Sequence, residues 1–296
     1  MLTLVESLSL AGDRGKQNDD ACGVALDAAW VIDGATDLHE TPLTGWASDA
    51  SWFASTLNNA LHAWISSPSL FDSESLRSPD PPMAPHAWLR NVLQIAIDEE
   101  VAPRFQRLYK GALERWRSPI ASLMLAREVV EGLVGLDLGD CRVATLDAAG
   151  ASTLSGGPED AADAESQLAA QQTDADKPLL RREATIARLR EMRASLNRPN
   201  AHWTACLDPD CATYARGWSL LLQRPAHILL MTDGFSALVD RYHVYDAAGL
   251  VRAALASGLQ ELGRELRAIE AADATGAKHP RFKPSDDATA ILLRLT

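Results

Sequence analysis

The chain has 296 residues, of which 47% are hydrophobic and 23% charged, so it carries enough apolar material for a substantial core, and one domain over residues 1–296 is expected. Forty acidic against twenty-eight basic residues give a net charge of −12, which repels a phosphate backbone and argues against a nucleic-acid partner. No basic-then-apolar leader opens the sequence and no stretch is apolar over a bilayer's thickness, so no membrane partner is expected; the scattered Cys22, Cys141, Cys206 and Cys211 read as free thiols of a reducing cytoplasm.

In chain order, Asn18-Asp19-Asp20 precedes a hairpin whose strands cover residues 22–26 and 30–32, with a turn at Asp27-Ala28-Ala29 and a stop at Asp33-Gly34. Apolar residues at helical spacing follow over 46–65 and 88–108, separated by a Pro- and Ser-rich loop, 66–85, expected to be mobile. Strands are expected over 120–127, 133–138 and 142–146, with Gly139-Asp140 between the last two. Residues 155–176, rich in small and acidic side chains, read as a second mobile loop. Segment 179–196 is helical in pattern and basic through Arg181, Arg182, Arg188, Arg190 and Arg193; a solvated face is favoured over a surface for an acidic partner.

A strand over 227–231 runs into Thr232-Asp233-Gly234, where the glycine favours a turn at the sheet edge. A helix over 246–269 has Asp246 as its N-cap, although Gly258 interrupts good helix formers. The basic run 278–283 then leads into Ser285-Asp286-Asp287-Ala288-Thr289 and a terminal strand, 290–295. That run reads equally as a phosphate contact or as a solvated loop. Trp46, Trp52, Trp64, Trp88, Trp203 and Trp218 read as packing residues, because they are unclustered and fall at helix-compatible positions.

Taken singly, each Asp-Gly pair is an ordinary turn and each Asp-Asp pair an ordinary solvated surface. The same device recurs wherever an apolar strand begins or ends, and hard divalent cations need several carboxylate oxygens converging from different elements. Glycine after aspartate allows close approach of a backbone carbonyl.

Five segments, Asn18-Asp19-Asp20, Asp33-Gly34, Gly139-Asp140-Cys141-Arg142, Thr232-Asp233-Gly234 and Asp286-Asp287-Ala288-Thr289, stand in the order of the motifs of the metal-dependent type 2C (PPM) protein serine/threonine phosphatases, which the chain resembles from about Ala11 to Thr296. The resemblance implies an α/β (α+β) fold: a four-layer α-β-β-α sandwich of two stacked, mainly antiparallel sheets flanked by helices. It implies two Mg or Mn ions held by Asp20, Asp33, Asp233 and Asp286, with the Gly34 carbonyl as a further oxygen and Asp19 acting through a coordinated water. Asp140 would support a third, weaker ion. The activity implied is hydrolysis of phosphoserine and phosphothreonine in protein substrates, by a monomer.

Three departures from the family pattern qualify it. The phosphate-binding arginine three residues before the motif asparagine is replaced by Gly15, leaving Arg14 and Lys16 beside it as the phosphate-binding candidates, with Arg14 favoured for its bidentate geometry. The histidine that follows Asp-Gly in eukaryotic members, a candidate general acid, is missing, and His39 is the nearest. Cys141 and Asp287 replace a serine and an asparagine. Rival readings are a catalytically weak phosphoprotein-binding module on the same fold and a phosphatase of a small metabolite.

Overall fold

The computed structural model describes residues 1–67, 85–158, 166, 167, 169 and 183–296. Its strands are β1 (Leu2–Leu10), β2 (Ala21–Ala25), β3 (Ala28–Gly34), β4 (Ile120–Val129), β5 (Gly132–Leu138), β6 (Arg142–Leu146), β7 (Ser152–Ser155), β8 (Ala205–Cys206), β9 (Arg216–Leu221), β10 (Ala226–Met231) and β11 (Ala288–Leu295). They form one sheet in the order β1-β11-β10-β6-β7 and a second in the order β2-β3-β4-β5-β9, with β8 pairing β4 beyond the end of β5. Every pairing is antiparallel.

Period-two alternation of side chains makes this a sandwich. In the second sheet Trp30, Ile32, Leu123 and Leu125 face a layer of helices, while their neighbours Ala29, Val31, Met124 and Ala126 face the first sheet. There they meet Val143, Ile228, Leu230, Ile291 and Leu293. The other side of the first sheet, with Leu229, Met231, Ala290 and Leu292, packs against a second helical layer. Strands buried on both faces read as continuous apolar runs, which is why 227–231 and 290–295 were conspicuous in the sequence. The four-layer α-β-β-α order follows directly.

The helices over the second sheet are α1 (Asp49–Ile65) and α2 (Pro85–Ile95); a π-helical stretch, Ala96–Val101, continues α2 into α3 (Ala102–Leu108). Ser48 caps α1 by accepting from the Ser51 N–H at 3.0 Å. Pro103 has no N–H to close the usual bond four residues back, and the helix widens just before it. Over the first sheet lie α6 (Asp233–Asp240), α7 (Ala247–Ser257) and α8 (Leu259–Ala272); α4 (Glu183–Ser195) and the single turn α5 (Cys211–Tyr214) lie beside the second.

Several sequence expectations are corrected here. The helix read over 246–269 is two helices, because Gly258 at φ 82° breaks it, although Asp246 does cap its start, accepting from the Gly249 N–H at 2.6 Å. The helix read from residue 46 begins at Asp49, and the first hairpin turns at Leu26-Asp27 rather than over three residues. Thr232-Asp233-Gly234 is not an edge turn: Thr232 is the N-cap of α6, and the chain goes straight from strand to helix. Strands β1, β7, β8 and β9 were not foreseen. Among the tryptophans, Trp52 and Trp88 are buried, whereas Trp46 is 44% exposed and Trp203 stacks flat on Tyr214, centroids 3.8 Å apart. Of the two loops read as mobile, Ser66, Ser67 and Pro85, and Ser155 to Pro158, are described, with Ser155 ending β7; most of the remainder, 68–84 and nearly all of 159–176, lies outside the described residues. No helix among the described residues is long and apolar enough to cross a membrane.

Candidate metal and phosphate site

Antiparallel register collects the aspartates. Because Ala21 pairs with Ile32, Asp20 and Asp33 stand at the same end of the β2–β3 hairpin. In the other sheet Met231 pairs with Ala290, and the Thr232 N–H donates to the Thr289 carbonyl at 2.9 Å, so Asp233 leaves β10 where Asp286 and Asp287 lead into β11. The two sheets are stacked with these ends together. Asp33, Asp140, Asp233 and Asp286 line one cleft of about 370 Å³, with Gly34 beside them.

Small polar residues fix the carboxylates. The Thr232 hydroxyl accepts from the Thr289 N–H and donates to Asp20 Oδ2, each at 2.9 Å, so one hydroxyl ties both strand ends to Asp20. Ser122 donates to Asp140 Oδ1 at 2.6 Å, and the Ser48 hydroxyl donates to Asp19 Oδ1. Asp287, the charged replacement for asparagine, is a clamp: its Oδ1 accepts from the Gly12 N–H at 2.7 Å and its Oδ2 from the Asp19 N–H at 2.6 Å. Close packing dictates the glycines: a Cβ on Gly34 would lie 2.4 Å from the Asp19 carbonyl oxygen, and one on Gly234 would lie 1.9 Å from that of Asp287.

Burial and mutual repulsion hold these acids away from their ordinary ionisation. Asp33 is pushed well up by burial and by Asp233, Asp20 and Asp140, and it shares a side-chain hydrogen bond with Asp233. Asp20 is also pushed up, by burial and then by Asp287, and its buried Oδ1 has no hydrogen-bond partner among the described residues. Asp19 rises to about 6, burial outweighing the Ser48 hydrogen bond. Asp286 is the exception. Burial would raise it, but the Lys283 ammonium, 2.6 Å from its Oδ1, takes it below the usual range. An orphaned carboxylate oxygen, a repelling set of acids and an all-oxygen donor set fit a hard divalent cation of the Mg or Mn type; Asp33, Asp233 and Asp286 in the cleft, with Asp20, which repels Asp33 but is not among the lining residues, could hold it.

The cleft walls are cationic and apolar: Arg142, Arg193, Arg241 and Lys283 line it, together with Leu38, Leu189, Met192, Leu196 and Phe282. Arg142 is anchored to Asp240 at 3.2 Å and to the Gly156 carbonyl. Arg14 and Lys16, the phosphate-binding candidates, sit exposed on the turn after β1 and are not among the lining residues. Among the described residues the solvated-face expectation for the basic helix holds for Arg188 only, and Arg181 and Arg182 lie outside the described residues. Arg190 donates to the Leu38 carbonyl at 2.7 Å and covers the Trp116 ring, and Arg193 faces the cleft, because α4 packs along its mouth. The basic run 278–283 also divides: Arg281 is buried on Asp273 at 2.9 Å, and Lys283 enters the site. Thr232 and Ser122 were not recognised as site residues from sequence, whereas Lys283 belongs to the basic run before Asp286 that reads equally as a phosphate contact or a solvated loop.

A second acidic group lies nearby. Ligand-type atoms of Asp37, His39 and Asp49 fall within 4.8 Å of one another. Asp49 is already saturated, accepting from the Leu43 and Thr44 N–H groups at 2.8 Å, from the Thr44 hydroxyl at 2.7 Å, and meeting His39 Nε2 at 2.9 Å. His39 is therefore turned onto Asp49 and does not line the cleft.

No known family profile matches the chain, and no curated protein matches it in sequence. Solved structures do match along its length. The serine/threonine phosphatase PstP/Ppp of Mycobacterium tuberculosis superposes with a TM-score of 0.54 at 16% identity, over 99% of this chain and 98% of that one. The PstP catalytic domain in complex with two manganese ions gives 0.53 at 15%, over 99% of each chain, and Stp1 of Staphylococcus aureus gives 0.54 at 14%, over 99% and 96%. From the first strand to the last, this chain has the fold of the PPM-type serine/threonine phosphatases.

Proposed function

We propose that the protein is a metal-dependent phosphomonoester hydrolase that removes phosphate from phosphoserine and phosphothreonine in proteins, using a pair of Mg or Mn ions. One observation carries the reading: the carboxylates of Asp33, Asp140, Asp233 and Asp286, from four separate strand ends, converge in a cleft with cationic walls. Fold alone does not fix a substrate. Likeness to solved protein phosphatases, one of them holding two manganese ions, favours a phosphoprotein over a small metabolite. It also makes a non-catalytic binding module the weaker reading, since none of the four ligand aspartates is replaced.

In this reading Asp20, Asp33, Asp233 and Asp286 hold the ions, with the Gly34 carbonyl and Asp19 completing the pair and Asp140 supporting a third. Thr232 keeps Asp20 in place. Ions bound there would supply an acidified water and neutralise charge on the phosphoryl and leaving oxygens. Arg193 and Arg241 stand where phosphate enters, while Arg14 or Lys16 reaches it if the turn after β1 folds over the cleft. Leu189, Met192 and Phe282 exclude water and offer apolar contact to residues flanking the phosphoamino acid. With His39 held by Asp49, the cleft presents no imidazole among the described residues to protonate a poor leaving group. Aryl phosphates should accordingly be cleaved faster than phosphothreonine. Free cysteines suit a cytoplasmic protein, and a monomer is proposed.

The test is hydrolysis of an aryl phosphate and a phosphothreonine peptide with manganese and with chelator. Metal-dependent turnover of both supports the proposal. Turnover of sugar or nucleotide phosphates but not of the peptide would shift it to a metabolite phosphatase, and binding without turnover would shift it to the recognition module.

A further inference from the structure

Lys283 has the right position and chemistry to be part of the site's charge balance. Its ammonium lies 2.6 Å from Asp286 Oδ1, an oxygen that also accepts from the Asp287 N–H at 2.9 Å. Asp33 and Asp233 line the same cleft as Lys283 and Asp286. The backbone beneath it is pinned. Buried Arg281, two residues earlier, donates to the Pro284 carbonyl, the His279 carbonyl and Asp273 Oδ2, each at 2.9 Å, and Arg267 donates to the Asp286 carbonyl at 2.8 Å. The side chain itself is 31% exposed, so a path to solvent is open along the cleft wall.

A divalent ion and an ammonium group seek the same oxygens. Without metal, four converging carboxylates need a positive charge, and a compact ammonium on a flexible stem can supply it and later withdraw. We infer that Lys283 is a resident counter-cation of the site: its ammonium covers Asp286 in the metal-free protein, and the divalent ion binds by displacing it. This rests on the metal-site reading above and goes beyond it, because it makes metal affinity a tuned quantity. The lysine stabilises the metal-free fold and weakens metal binding by the same contact, so the protein loads only above a threshold of free divalent ion.

Calorimetric titration of manganese into metal-stripped wild type, Lys283→Met and Lys283→Arg, with melting curves in chelator and in saturating manganese, tests this. Lys283→Met should bind manganese roughly tenfold tighter, the size of one nearby charge, and melt lower than wild type in chelator but not in manganese. Lys283→Arg keeps the charge, so it should melt like wild type in chelator and bind no tighter. Equal or weaker manganese binding by Lys283→Met, or tightening by Lys283→Arg, overturns the inference. If Lys283→Met does not fold without metal, the arginine variant and the manganese-loaded melt still decide it. Wild type that binds no manganese removes the metal reading and this inference together, whereas binding by wild type with no change in the methionine variant removes the inference alone.

Discussion

Asp33 and Asp37 stand four residues apart, yet they belong to acidic clusters of opposite character. Around Asp33 the carboxylates face one another: burial and like charge push Asp33 and Asp20 up, and Asp20 Oδ1 has no partner among the described residues. Around Asp37 the buried Asp49 receives backbone, hydroxyl and imidazole hydrogen bonds, and although burial opposes them, these take it below its usual value. Ligand-type atoms are close together in both. What separates a cation site from a structural latch is whether the oxygens are already satisfied.

Neutralising the mutually repelling cluster should have the largest effect. Asp33→Asn or Asp233→Asn should lower metal-dependent turnover by roughly 100- to 1,000-fold, as loss of a charged ligand at a catalytic cation does. The metal-free protein should stay folded and, since one repelling charge is gone, melt at or above wild type. Paired rate assays and melts in chelator check both halves.

Asp49→Asn should do the reverse. It turns an acceptor of several hydrogen bonds into a group that presents its own N–H to donors, costing about 2–4 kcal/mol in denaturant unfolding. Turnover per folded molecule should stay within about twofold.

A smaller effect separates the clusters by pH. Asp19 titrates at about 6 when folded, above its ordinary 3.8, so the folded metal-free protein binds a proton that the unfolded chain releases between those values. The penalty of ionising it is complete above about pH 6 and vanishes as pH falls toward 4. Melts in chelator should therefore rise on going from pH 7 to 5, by roughly 1–2 kcal/mol of stability after solvent screening. Asp20 and Asp33 push in the same direction, and manganese should remove their part of the trend together with that of Asp19. In the latch Asp49 contributes nothing in this window, because its depressed carboxyl loses its stabilisation only below its unfolded value, whereas Asp37, raised by burial, adds a part that manganese leaves in place.

Smallest of all should be Arg14→Ala. An exposed arginine that reaches phosphate only when its turn folds over contributes on the scale of a surface ion pair, so KM for a phosphopeptide should rise no more than about threefold with kcat unchanged. Arg241→Ala, from the cleft wall, should raise it further.

The sequence made the sandwich legible where strands are buried on both faces, as at 227–231 and 290–295, because such runs have no polar side to confuse the period. It concealed β1, whose partner β11 is at the far end of the chain, and β9, an edge strand with largely exposed side chains. The aspartates stood out because they recur at strand ends. Their supports did not: Thr232 and Ser122 are ordinary residues until register brings them to Asp20 and Asp140. His39 carried no sign of being held by Asp49, since only the fold of residues 35–49 brings the two together. The break at Gly258 had a visible cause, a residue that stops a helix readily at positive φ, but helical period on either side masked it.

Manganese titration calorimetry on metal-stripped wild type, Asp33→Asn and Asp49→Asn measures the contrast between the clusters directly. The account predicts two manganese ions per wild-type chain, binding lost or weakened at least about tenfold in Asp33→Asn, and wild-type binding in folded Asp49→Asn. Manganese binding that survives in Asp33→Asn and disappears in Asp49→Asn would contradict it and place the metal at the latch instead.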